Sequence, residues 1–256
     1  MIFIFTRKEL SLSTIKISKK MNLKNKVAYI TGGTKGIGFG IAKELLKNGL
    51  KVAISGRSKE AVEKAVSELS KYEDNIIGVV SDVKNFEAEQ EAVKYIETKL
   101  GNIDVVVANA GLGYFKPVDE ISLEEWNAMI DTNLTGAFHT MKATVESLKK
   151  TQGYYISIAS LAGAYFFEKA SGYNASKFGL VGFTQAAMLD LRKYNIKVST
   201  IMPGSVASHF NGNEPSDKDS WKIQPEDLGE IVVDLLRMNP RTLPSKIEVR
   251  PSNPNK

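Results

Sequence analysis

A phenol and an ammonium stand four residues apart in the run Ser171-Gly-Tyr-Asn-Ala-Ser-Lys177. On a helix, Tyr173 and Lys177 then share one face, a turn apart. A tyrosine alone is a poor acid at neutral pH, with an ordinary pKa of about 10, and a fixed positive charge beside it favours the phenolate. Such a pair suits a group that gives a proton to, or takes one from, a carbonyl or alcohol oxygen. Ser160 lies 13 residues before the tyrosine, at the end of a strand-like run. Tyr-x-x-x-Lys also arises by chance on solvated helices, so the rest of the chain must decide.

Near the other end, Thr31-Gly32-Gly33-Thr34-Lys35-Gly36-Ile37-Gly38 follows the apolar run Val27–Ile30 and opens a helical pattern from Ile41 to Leu46. Glycines between a first strand and a first helix allow a tight turn and a close approach of backbone to phosphate, with the helix N-terminus facing the anion. The spacing is G-x-x-x-G-x-G, which differs from the G-x-G-x-x-G dinucleotide fingerprint.

These motifs, with others in order, resemble the classical short-chain dehydrogenase/reductase family, of the type that prefers NADP(H). T-G-x-x-x-G-x-G stands at 31–38, N-A-G at 109–111, a helix asparagine at 133, the serine at 160, Y-x-x-x-K at 173–177 and P-G-x-V at 203–206. The resemblance spans about residues 22–250. It implies a Rossmann-type doubly wound α/β fold, with a central parallel sheet of about seven strands flanked by helices on both faces.

In the family's terms, Gly32, Gly36 and Gly38, with Thr34, Lys35 and Ile37, form the turn under the cofactor pyrophosphate. NAD-dependent relatives place an acid at the end of the second strand, where it binds the ribose hydroxyls. Here that strand reads Val52-Ala-Ile-Ser-Gly-Arg57, with Gly56 in the acid's position. Arg57 and Lys35 favour a 2′-phosphate, which a guanidinium binds through paired hydrogen bonds. The resemblance thus implies NADP(H). It also assigns Asp82 and Val83 to the adenine, the Asn109-Ala110-Gly111 backbone to the cofactor wall, and Pro203, Gly204, Val206 and Ser208 to the nicotinamide.

The implied reaction is hydride transfer between nicotinamide C4 and a carbonyl carbon, by an NADPH-dependent carbonyl reductase or alcohol dehydrogenase. Tyr173 is the general acid/base. Lys177 holds the nicotinamide ribose and favours the tyrosinate, Ser160 bonds the substrate oxygen, and Asn133 anchors a water chain to Lys177. Aromatics in 112–115, 161–167 and 207–221 (Tyr114, Phe115, Tyr165, Phe166, Phe210 and Trp221) suggest a cleft for an apolar carbonyl or alcohol. Alternatives are a 3-oxoacyl-thioester reductase, an NAD-dependent oxidative dehydrogenase and a non-catalytic dinucleotide-binding sensor. The D-G-G tail of ketoacyl reductases is absent after the last strand, and the sensor reading would fit a chain that had lost Ser160, Tyr173 or Lys177. Family relatives pair their long helices across a two-fold axis, which implies a homodimer or homotetramer.

The elements needed to hold these residues are legible independently. The chain has 256 residues, 43% of them hydrophobic and 25% charged. Strand-like runs at 26–31, 51–55, 76–81, 103–108, 154–159, 196–202 and 246–249 alternate with helical patterns at 38–48, 58–71, 87–100, 122–149, 173–194 and 226–238. That alternation predicts a parallel sheet covered on both sides. There is no cysteine, so no disulfide framework or thiolate metal site forms, and two distant histidines suggest no metal. The reading is compatible with a reducing cytoplasm. No apolar run reaches the ~20 residues of a membrane span. The formal net charge is +5, and residues 1–20 carry +4 of it, through Arg7, Lys8, Lys16, Lys19 and Lys20 against Glu9. The remainder is nearly neutral, which gives no case for nucleic acid. We read 1–20 as a disordered basic leader or the product of an upstream start, and 21–256 as a single catalytic domain.

Overall fold

Apolar runs become strands because both of their faces are covered. The computed structural model describes residues 22–254; the expected leader lies outside the described residues. Among them, seven strands form one parallel sheet: β1 (Val27–Ile30), β2 (Lys51–Gly56), β3 (Ile76–Val80), β4 (Val105–Ala108), β5 (Tyr154–Ile158), β6 (Lys197–Pro203) and β7 (Lys246–Val249). Their order is β3-β2-β1-β4-β5-β6-β7. The chain moves outward from β1 to β3, then crosses back to lay β4 on β1's other side. Such a reversal opens a crevice at the carboxyl ends of the strands.

The connecting helices are α1 (Gly36–Lys47), α2 (Lys59–Leu69), α3 (Phe86–Leu100), α4 (Leu123–Ile130), α5 (Gly136–Thr151), α6 (Ser171–Leu191) and α7 (Pro225–Arg237). They cover the sheet from both sides. On one face, Ala28 and Ile30 of β1 pack with Ile41 and Leu45 of α1, Leu69 of α2 and Val232 of α7. On the other, Val27 and Tyr29 pack with Val93 and Ile96 of α3, Met141 of α5 and Leu191 of α6. Successive strand residues point to opposite faces, so one apolar run feeds two cores. The fold is the doubly wound α/β sandwich that the sequence predicts.

Local chemistry fixes where the helices begin. Ser58 accepts from the Ala61 N–H (3.3 Å) and Asn85 from the Ala88 N–H (2.9 Å), capping α2 and α3. Ser122 and Glu125 form a reciprocal capping box at α4, the arrangement that satisfies two orphan donors at once. Lys43 of α1 pairs with Glu226 of α7 at 2.8 Å. No helix among the described residues is long and apolar enough to cross a membrane.

Two differences from the sequence pattern bear on the site. α1 starts at Gly36 instead of 38, because its first turn is the end of the glycine loop. The long helix expected over 122–149 is two helices, separated by a π turn at Asp131–Thr135. Asn133 sits in that turn.

Candidate active site

The carboxyl ends of the strands open into one cleft of about 1160 Å³. Its first wall is the glycine turn. Gly32 (φ +63°) and Gly36 (φ +56°) take left-handed conformations, which favour glycine. Gly38 lies behind the turn, where a Cβ would stand 2.5 Å from Asn109 Nδ2 and 2.6 Å from the Gly32 carbonyl. Asn109 braces the loop through its side chain, donating to the Thr31 and Gly32 carbonyls at 3.0 Å each. Thr31 Oγ1 returns the brace, accepting from the Asn109 and Ala110 N–H groups at 3.1 Å. Thr31 was not among the expected site residues, although it stands next to the first glycine. Lys35, the residue before α1, is extended and makes no side-chain cap. The first-turn N–H groups are therefore not capped by it, as an anion site at a helix N-terminus requires. Thr34, Lys35 and Ile37 line the cleft here.

At the next strand end, Gly56 and Arg57 line the same cleft. A Cβ on Gly56 would stand 2.6 Å from Thr34 Cγ2, so an acidic side chain does not fit there unless Thr34 moves. Arg57 and Lys35 are both exposed. Asp82 follows β3 and accepts from the Lys84 N–H at 3.1 Å. Val83 is buried beside it, its carbonyl 2.9 Å from His139 Nδ1 of α5. His139 thereby ties α5 to this corner.

The opposite end holds the titratable pair. Tyr173 and Lys177 lie on α6, buried, and both line the cleft. Burial pushes the Tyr173 phenol up to about 12, with the Ser160 hydroxyl pulling the other way. Burial brings the Lys177 ammonium down to about 8. Lys177 Nζ stands 5.8 Å from the tyrosine ring centroid, and desolvation is the larger effect. Among the described residues, Lys177 makes one hydrogen bond, to the Ile158 carbonyl (3.1 Å), which leaves two of its three N–H donors for a ligand. Ser160 follows β5; its Oγ accepts from the Ala162 N–H at 3.1 Å, starting a short 3-10 turn.

Asn133 does not line the cleft but sits directly beneath it, fully buried. Its amide accepts from the Leu112 N–H (2.9 Å) and donates to the Leu112 carbonyl (2.8 Å) and to Ser176 Oγ (2.9 Å). Ser176 in turn donates to the Tyr173 carbonyl (2.8 Å). A Cβ on Gly111 would lie 3.3 Å from Asn133 Oδ1 and 3.5 Å from Lys177 Nζ, so both groups crowd that backbone.

The loop after β6 closes the remaining side. Pro203, Gly204, Val206 and Ser208 all line the cleft. Gly204 N–H donates to the Val249 carbonyl (2.8 Å), and Ser208 lies against Gly36. Phe115 and Phe210 flank Tyr173, with ring centroids at 5.3 and 5.6 Å. Gly113 admits them: a Cβ there would stand 2.8 Å from the Phe210 ring. Tyr114, Tyr165 and Trp221 line the cleft as expected, but Phe166 does not. It is 82% exposed and stacks on Phe178; Phe167 takes its place in the wall. Sequence spacing also missed the tail, where Arg250 stands over the Tyr165 ring at 4.8 Å and Pro251 and Pro254 line the mouth.

One end thus offers N–H donors and cations for phosphate, and the other a phenol, a hydroxyl and an ammonium among apolar rings. A family model described as short chain dehydrogenase matches residues 26–219. An uncharacterized oxidoreductase of Staphylococcus aureus (strain MW2) is 32% identical over 231 residues, which cover 90% of this chain and 98% of that protein. Among solved structures, an alcohol dehydrogenase from the archaeon Thermococcus sibiricus, complexed with 5-hydroxy-NADP, superposes with a TM-score of 0.83. It is 32% identical, covering 90% of this chain and 99% of that one. A 3-ketoacyl-(acyl-carrier-protein) reductase from Brucella melitensis, complexed with NADH, gives 0.82 at 25% identity, covering 90% and 98%.

Proposed function

Since the chain belongs to the short-chain dehydrogenase family of oxidoreductases, we propose that it is an NADP(H)-dependent carbonyl reductase or alcohol dehydrogenase acting on an apolar small molecule. The observation that carries the cofactor reading is the second strand end. With Thr34 in place, Gly56 is too crowded for a side-chain carboxylate, while Arg57 and Lys35 line that stretch of the cleft. Two cations and no acid match a 2′-phosphate. The glycine turn and the N-terminus of α1 hold the pyrophosphate, Asp82 and Val83 the adenine, and Lys177 the ribose next to the nicotinamide. The bound nicotinamide supplies or takes up the hydride at the carbon of the substrate C–O bond.

The chain's residues handle the proton and the charge. Tyr173 gives its phenolic proton to the carbonyl oxygen in reduction and removes the hydroxyl proton in oxidation. A phenol pushed up to about 12 stays protonated at neutral pH and so is ready to act as an acid. Ser160 donates a hydrogen bond to the same oxygen as charge develops there. Lys177 stabilises the tyrosinate left behind, and Asn133 orders the water that returns a proton to Lys177. Phe115, Phe167 and Phe210 exclude bulk water and select apolar substrates.

The test is direct. Purified protein is titrated with NADPH and NADH, then NADPH oxidation is followed against ketones, aldehydes, diketones and ketoacyl thioesters. NADPH is expected to bind at least tenfold more tightly, with turnover of one carbonyl class. Tyr173→Phe should keep NADPH affinity and lose about 10²–10⁴ in kcat, the range for general acid–base catalysis. NADH preference overturns the cofactor reading, and unchanged turnover in Tyr173→Phe overturns the mechanism.

A further inference from the structure

Beneath the adenosine end of the cleft lies a carboxyl group that none of these steps uses. Glu89, in the first turn of α3, is fully buried. Its Oε1 accepts from Ser81 Oγ at 2.6 Å and from the Tyr29 hydroxyl at 3.0 Å. Its Oε2 lies 3.0 Å from Thr140 Oγ1, which shares its one proton between this oxygen and the Gly136 carbonyl, also at 3.0 Å. The Tyr29 hydroxyl also lies 3.1 Å from Ser55 Oγ. All five side chains are buried.

Burying an acid is costly unless hydrogen bonds replace its water. The Ser81 and Tyr29 hydroxyls, with a share of the Thr140 hydroxyl, do so here, although burial still pushes the carboxyl up. Among the described residues, no lysine or arginine bonds it. The core face of the same helix is otherwise filled by Ala92, Val93 and Ile96, and an apolar side chain at 89 would serve packing as well or better.

What the network reaches gives it a use. Ser55 is two residues before Arg57, and Ser81 is one before Asp82; both serines also line the cleft. Tyr29 belongs to β1, so one carboxyl gathers the ends of three adjacent strands, β1, β2 and the turn after β3. His139, next to Thr140 on α5, holds the Val83 carbonyl of that turn as well.

We propose that Glu89 is a positioning residue for the adenosine end of the cofactor, fastening the ends of β2 and β3 so that Arg57 and Asp82 stand ready for the 2′-phosphate and the adenine. The assignment rests on the cofactor reading above. It places cofactor affinity, and not the chemistry at Tyr173, under the control of a side chain that touches no ligand.

Titration calorimetry of NADPH, adenosine 2′,5′-bisphosphate and adenosine 5′-monophosphate against the full chain tests it. The variants are Glu89→Gln, Ser81→Ala and, as a destabilised control on the same helix, Ile96→Val. Glu89→Gln and Ser81→Ala should weaken adenosine 2′,5′-bisphosphate about tenfold, the equivalent of one charge-assisted hydrogen bond. NADPH should lose the same factor, which locates the loss at the adenosine end. Ile96→Val should lower the melting temperature without changing either affinity. Unchanged affinities in Glu89→Gln and Ser81→Ala overturn the proposal. So does a loss for NADPH much larger than for the fragment, or an equal loss in Ile96→Val, because either marks general loosening. If the wild-type protein binds adenosine 5′-monophosphate as well as the bisphosphate, the 2′-phosphate reading fails by itself. The same comparison then decides the role of Glu89 with the monophosphate.

Discussion

Burial sets the acid–base character of the central pair. Tyr173 and Lys177 are pushed in opposite directions by one cause, desolvation, which penalises the charged form of each. Lys177 falls from its ordinary 10.5 to about 8, so below pH 8 the folded chain must hold a buried ammonium. Between pH 8 and about 10 the unfolded chain binds more protons than the folded one, and stability rises with pH across that window. Lys177→Met should therefore be more stable than the parent at pH 7, by on the order of 3 kcal/mol. The gap should narrow as pH climbs from 8 to 10, below the range where Tyr173, pushed up to about 12, takes effect. Urea denaturation at several pH values checks this; a gap that is constant with pH overturns it. The sequence showed both side chains and their spacing. It could not show the sign of the tyrosine shift, because burial by Phe115 and Phe210 depends on residues far away in the chain.

Between single residues and the whole molecule, strand ends and turns decide which cofactor fits. Gly56 was legible as the absence of an acid, but the reason it is glycine was not: Thr34, 22 residues earlier, occupies the space a Cβ would need. Gly56→Asp alone should cost about 1–3 kcal/mol of stability, as overpacking does, and leave NADPH preferred. Gly56→Asp with Thr34→Ala makes room for the carboxylate, and should shift preference towards NADH by tenfold or more. Thermal melts and cofactor titrations of both variants decide it; a full switch by Gly56→Asp alone contradicts the steric argument. The same kind of distance hid the break between α4 and α5. The helical pattern runs on through 122–149, and the bonds of Asn133 reach 21 residues back to Leu112 and 43 forward to Ser176. The Glu89 network was hidden likewise, since a glutamate near a helix start reads locally as a solvated charge. Strands and most helix positions were legible because apolar runs and turn signals are local.

At the scale of the whole chain, the outward faces of α4–α6 expose several large apolar side chains. Leu123 is 76% exposed and Leu189 57%. Phe138 of α5 meets Phe183 of α6 edge to face at 6.0 Å, making an aromatic patch across two adjacent helices. Contiguous exposed patches of this kind mark association sites. Lys and Glu could occupy helix exteriors at little cost, so the phenylalanine pair there favours a partner. We expect a homodimer or homotetramer in which this face meets a second copy of the chain. Light scattering should return a multiple of the single-chain mass. Phe138→Lys with Leu189→Lys should lower it, because two buried ammonium groups per copy cannot be tolerated in an apolar contact. Neither residue lines the cleft, so NADPH binding should survive in the dissociated variant. A wild-type protein that scatters as a single chain contradicts the expectation outright. A double variant that keeps the parent's mass moves the interface to another face.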